Sequence, residues 1–66
     1  MKKRSLTIDG HRTSISLENE FWDALKDIAK NQGCTLIEII RQIDEKRKSG
    51  LSSAIRVFVL KHYLGP

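Results

Sequence analysis

The sequence predicts a mainly α fold that opens with a short extended segment. Three observations carry this. Apolar residues alternate with polar ones over residues 3–17. Three later segments carry apolar residues at helical spacing. Stop and start signals fall between those segments.

Residues 3–17 form the extended part. Leu6 and Ile8 alternate with polar residues, and so do Thr13, Ile15 and Leu17, which is the period of a strand. The two sets differ in parity across Gly10, so one straight strand would put them on opposite faces. A two-residue turn at Asp9-Gly10 would pair Ile8 with His11, Leu6 with Thr13 and Arg4 with Ile15, and would gather both sets on one face. A bulge at Gly10 would also reset the phase. The sequence leaves these alternatives open, and with them the choice between a hairpin strand and an arm for residues 1–10. Residues 11–17 are a strand either way.

The first helix is predicted over about 18–32. Phe21, Ala24, Leu25, Ile28 and Ala29 fall on one stripe. Glu18, Glu20 and Asp23 lie in the early turns, Lys30 near the other end, and Gly33 just past it. A second helix is predicted over about 35–48. Thr35-Leu36-Ile37-Glu38 has the form of a capping box. Leu36, Ile39, Ile40 and Ile43 supply its apolar face, Lys46, Arg47 and Lys48 its cationic end, and Ser49-Gly50 its break. A third helix is predicted over about 51–64, where Leu51, Ala54, Ile55 and Phe58 keep helical spacing. Val57, Val59 and Leu60 make it apolar nearly all round, so it needs cover on several sides. A buried strand over 55–60 is the competing reading, because Ile-Arg-Val-Phe-Val-Leu is β-prone.

Composition bounds the function. A chain of 66 residues is a single domain with little apolar surface to bury, and such chains usually lean on disulfides, metal or a partner subunit. Cys34 is the only cysteine, which excludes an internal disulfide and fits a reducing compartment. No metal-ligand cluster, cofactor motif, catalytic triad or carboxylate pair is visible, so no cofactor, no metal and no enzymatic activity are expected. Oligomerisation is then the expected source of extra core. No apolar run approaches the length of a membrane span, and the Met-Lys-Lys-Arg start lacks the apolar run of a secretory signal. The expectation is a cytoplasmic protein that does not enter a membrane. The net charge is +4 and unevenly spread. Residues 1–12 carry net +3, residues 13–45 net −4, and residues 46–66 five bases and no acid. Basic ends favour polyanionic partners.

The strand, helix, Gly-containing turn and capped helix, in that order, resemble the ribbon-helix-helix DNA-binding domains of the Arc and MetJ type. Ser14-Ile15-Ser16-Leu17 resembles the family's reading strand. Gly33-Cys34-Thr35-Leu36-Ile37-Glu38-Ile39-Ile40-Arg41 resembles its inter-helix turn. Gly10-His11-Arg12-Thr13-Ser14, with Leu17-Glu18 and Phe21-Trp22, resembles a bacterial subfamily. The core of the resemblance covers residues 11–48 and the subfamily pattern nearly the whole chain.

The resemblance implies an intertwined homodimer in which each subunit gives one strand to a β-ribbon that enters the major groove of double-stranded DNA. Ile15, Leu17, Phe21, Leu25, Ile28, Ile39, Ile40 and Ile43 would form the dimer core. Arg12, Ser14 and Ser16 would face the bases, with Arg12 suited to a bidentate contact with guanine. The start of the second helix, at Cys34, Thr35 and Leu36, would hold phosphate, and Lys2, Lys3 and Arg4 would add phosphate contacts. The expected function is sequence-specific transcriptional regulation, as a repressor, with higher oligomers on DNA left open. The alternative is an antitoxin-like or other protein-interaction module that uses the apolar segment 51–64. The sequence departs from the minimal pattern in its ten residues before the reading strand and in its third helix. If the former make a hairpin, the ribbon becomes a larger sheet.

Overall fold

In the computed structural model, which describes residues 2–65, the chain reverses at Asp9 and Gly10. Both take positive φ, 50° and 81°. Positive φ at the two central residues is the signature of a tight turn whose twist matches that of paired strands, and Asp and Gly are residues that tolerate it. The choice left open by the sequence is thereby resolved as a hairpin. Strand β1, Lys2–Ile8, pairs antiparallel with strand β2, His11–Leu17. The register sets Ile8 against His11, Leu6 against Thr13, Arg4 against Ile15 and Lys2 against Leu17. Ile8, Ile15 and Leu17 are buried on the helix-facing side.

Three helices follow: α1 (Asn19–Gln32), α2 (Leu36–Lys46) and α3 (Leu51–Leu64). The β-prone run at 55–60 is helical, because Ile55 and Val59, one turn apart, both point into the core. Helix α1 ends at Gly33, where φ is 70°. The Gly33 N–H donates to the Lys30 carbonyl at 3.2 Å and the Cys34 N–H to the Ala29 carbonyl at 3.1 Å. This pair of bonds is the Schellman closure of a helix. Helix α2 is capped by Thr35, whose hydroxyl accepts from the Glu38 N–H at 3.1 Å. It ends at Lys46, two residues before the sequence-predicted end at 48. Arg47 takes an extended backbone, donates to the Asp44 carboxylate and reaches forward to the Ser49 carbonyl at 2.7 Å, which turns the chain early.

The core joins all five elements: Ile8, Ile15, Leu17, Leu25, Ile28, Ala29, Ile39, Ile40, Ile43, Ile55 and Val59. Among the residues assigned to a dimer core, all but Phe21 are buried within a single chain, and Phe21 is half-buried against the same cluster. The added elements explain this. Strand β1 lies beside β2, and α3 packs on α1, α2 and β2. Polar contacts fasten the extra pieces. The Arg56 guanidinium of α3 donates to the Glu18 carboxylate at 2.8 Å. Arg41 of α2 pairs with Asp9 in the hairpin turn at 3.5 Å.

Candidate nucleic-acid interface

Because side chains of paired strands alternate between two faces, burying Ile8, Ile15 and Leu17 fixes what lies on the other face. It consists of three facing pairs: Lys3 with Ser16, Ser5 with Ser14, and Thr7 with Arg12. All six are exposed. The face therefore presents two cations and four hydroxyls, with no carboxylate and no large apolar group. Hydroxyls donate and accept, and a guanidinium donates in a fork. Such a surface can hydrogen-bond base edges and phosphate oxygens alike.

The structure brings Arg12, Ser14 and Ser16 together on this face, with Lys3 beside Ser16. Sequence reasoning missed Ser5 and Thr7. The signal was the alternation Lys3-Ser5-Thr7, which mirrors Arg12-Ser14-Ser16 once the turn is placed at Asp9-Gly10.

Arg4 is not on this face. It shares the helix-facing side with Ile15, and its guanidinium lies 4.4 Å from the centre of the Trp22 ring. One Nη donates to the Asn19 side-chain oxygen at 3.1 Å. Its Nε is buried without a hydrogen-bond partner, consistent with stacking of the guanidinium plane on the indole. Arg4 thus clamps β1 to α1, whereas the sequence expectation grouped it with Lys2 and Lys3. Lys2 stands opposite Leu17 at the strand end, where it remains exposed.

The turn before α2 also differs in detail from expectation. Cys34 is half-buried, and its N–H is committed to the Ala29 carbonyl. The Schellman closure thus removes one of the donors that the sequence placed at a phosphate site. Thr35 is exposed and Leu36 is the first residue of the helix. The first N–H groups of a helix have no partner inside it, and the positive end of its dipole lies there. The N–H of Leu36 is the first of that set.

One ionisable group near the hairpin is perturbed. Glu18 links β2 to α1, and the Arg56 hydrogen bond, helped by a backbone hydrogen bond, holds its carboxyl below the ordinary carboxylate range. Its role is to fix the joint between ribbon and helices. Among the described residues, no helix is long and apolar enough to cross a membrane.

Neither the curated proteins nor the solved structures contain a significant match to this chain. The family comparison does: the model of the ribbon-helix-helix domain matches residues 1–63, hairpin and third helix included. With that match over nearly its whole length, and with a ribbon followed by helices in the required order, the chain belongs to the ribbon-helix-helix domain family.

Proposed function

We propose that the protein is a homodimeric, sequence-specific DNA-binding regulator, acting as a transcriptional repressor in the cytoplasm rather than as an enzyme. Family membership supports a DNA-binding, regulatory kind of function. The observation that carries the reading is the outward face of the hairpin, a row of hydroxyls closed by Arg12 and Lys3.

The sheet supports the dimer. Strand β1 occupies one edge of β2, and among the described residues the sheet has these two strands. The second edge of β2 offers N–H and C=O groups to a partner strand. Pairing it with the β2 of a second copy gives a four-stranded sheet with both β2 strands at its centre. Four strands span roughly 14 Å between outer axes, whereas the major groove is about 12 Å wide. Only the central pair fits inside. Arg12, Ser14 and Ser16 of each copy then face the bases. The β1 strands ride on the groove edges, where Lys3, Ser5 and Thr7 meet phosphates with Lys2 at the strand end. Thr35 and Leu36 hold a further phosphate at the start of α2.

The test is fluorescence-anisotropy binding to the DNA upstream of the protein's own gene and to a scrambled duplex, across a salt series. The expected result is tighter binding to the upstream DNA that persists as salt rises. Arg12→Ala is expected to erase the preference, while Lys3→Ala lowers affinity for both duplexes and flattens the salt dependence. Arg12→Ala with unchanged preference would remove the ribbon-readout reading.

A further inference from the structure

The end of α2, the turn after it and one side of α3 line an open groove of about 480 Å³. Its apolar part is Ala54, Val57 and Phe58, with Ile43 beside them, and its uncommitted cations are Lys46, Lys48 and Lys61; Arg47 also lines it, with its guanidinium held by Asp44 and the Ser49 carbonyl. No acidic residue lines it. Val57 is 50% exposed and continues out of the groove into Leu60 and Leu64, which are 55% and 77% exposed. The spacing i, i+3, i+7 puts these three on one stripe of α3, roughly 10 Å long at the rise of a helix. These are three of the five large apolar residues the described chain leaves exposed.

We infer that this groove and stripe form a docking site for an acidic amphipathic segment of another protein. The charge selects the occupant. A phosphate backbone would satisfy the cations but has no apolar face for Val57, Leu60 and Leu64. A second copy packed about a two-fold axis through α3 would bring Lys61 and the cluster at 46–48 against their own equivalents, and like charges oppose that. A small anionic ligand would fill the groove and leave the stripe uncovered. A helix with leucines on one face and glutamates flanking them covers the stripe and neutralises the rim together. None of the groove residues lies on the hairpin, so the site can be occupied while the ribbon binds DNA.

The experiment uses the full chain and two labelled synthetic helical peptides with the same leucine face, one flanked by glutamates and the other by lysines. Binding is read by fluorescence anisotropy. The expected result is that the glutamate peptide binds, the lysine peptide does not, and excess duplex DNA fails to displace the bound peptide. Val57→Asp and Lys61→Glu alter exposed side chains. Each is expected to weaken peptide binding by about tenfold or more, which corresponds to about 1.4 kcal/mol, and to leave binding to DNA unchanged. The inference is overturned if neither peptide binds, if both bind equally, if the variants bind the glutamate peptide as the parent does, or if duplex DNA competes for the groove. It is also overturned if Val57→Asp abolishes self-association measured by sedimentation, because the face would then belong to a second copy. Failure of the peptide with DNA binding intact refutes the groove alone; loss of DNA binding by the parent chain refutes the regulatory reading alone.

Discussion

Gly33 and Arg12 show how single residues act in opposite ways here, one through the backbone and one through its side chain. Gly33 holds φ at 70°, and a Cβ placed there would meet nothing within 4 Å. The cost of a side chain is therefore conformational alone. Gly33→Ala is expected to destabilise the fold by about 1–2 kcal/mol, read as a lower midpoint in urea with an unchanged slope. A loss well beyond that range would mean the αL turn does more than close α1. Arg12 is exposed on the outward face opposite Thr7. Arg12→Lys keeps the charge but not the fork. It is expected to lose about 1–3 kcal/mol of discrimination between cognate and scrambled duplex while keeping its salt dependence. Retained discrimination would mean that Arg12 acts as a charge only.

Arg4 shows where residue-level reading of the sequence stops. The hairpin, one of the alternatives that the parity change across Asp9-Gly10 leaves open, puts Arg4 opposite Ile15 and therefore toward the helices. Its partner Trp22 is eighteen positions away in sequence, and no local pattern announces such a contact. Cys34 is similar. Gly33 signals the end of a helix, but the commitment of the Cys34 N–H to Ala29 belongs to one particular closure among several.

At the scale of elements, the joint between β2 and α1 depends on α3. Glu18 is the residue before α1, and its carboxylate accepts from Arg56 on α3. The folded carboxyl titrates below its ordinary value. Its contribution to stability is therefore complete above the ordinary carboxylate range and is lost as pH falls through the lowered folded value. Glu18→Gln is expected to lower the midpoint of thermal unfolding at neutral pH and to make that midpoint fall less steeply with acid. A variant whose midpoint follows the parent at every pH would show that the pair contributes nothing. The helices themselves are legible because each carries its own stripe and its own cap: Thr35 with Glu38 for α2, and Gly33 for α1. The early end of α2 is less legible. Lys46, Arg47 and Lys48 read as a favourable cationic last turn, whereas Arg47 spends its guanidinium on Asp44 and the Ser49 carbonyl and leaves the helix.

At the scale of the molecule, hairpin and third helix change what one chain can do alone. In the minimal arrangement that the resemblance implies, the faces of the strand and helices are completed by a partner. Here Ile15, Leu17, Ile28 and Ile40 are buried within one chain, in a fold to which β1 and α3 add their packing. The second edge of β2 is where the proposed dimer would pair, and three of the exposed large apolar residues lie on the outer stripe of α3. The sequence shows that α3 is apolar all round and needs cover, but which side is covered depends on tertiary packing. Ile55 and Val59 face inward, and Val57, Leu60 and Leu64 face outward. The outward hairpin face is legible as a pattern of alternating polar residues. Its unity, with six side chains from two strands on one surface, needs the register.

On the proposed reading, this face meets DNA. The most direct measurement is amide chemical-shift mapping of the isotope-labelled protein titrated with duplex DNA at low salt. Shifts are expected to concentrate at Lys3, Ser5, Thr7, Arg12, Ser14 and Ser16, with a second group at Thr35 and Leu36. Shifts confined to Lys46–Lys48 and Lys61, with the hairpin unmoved, would contradict it.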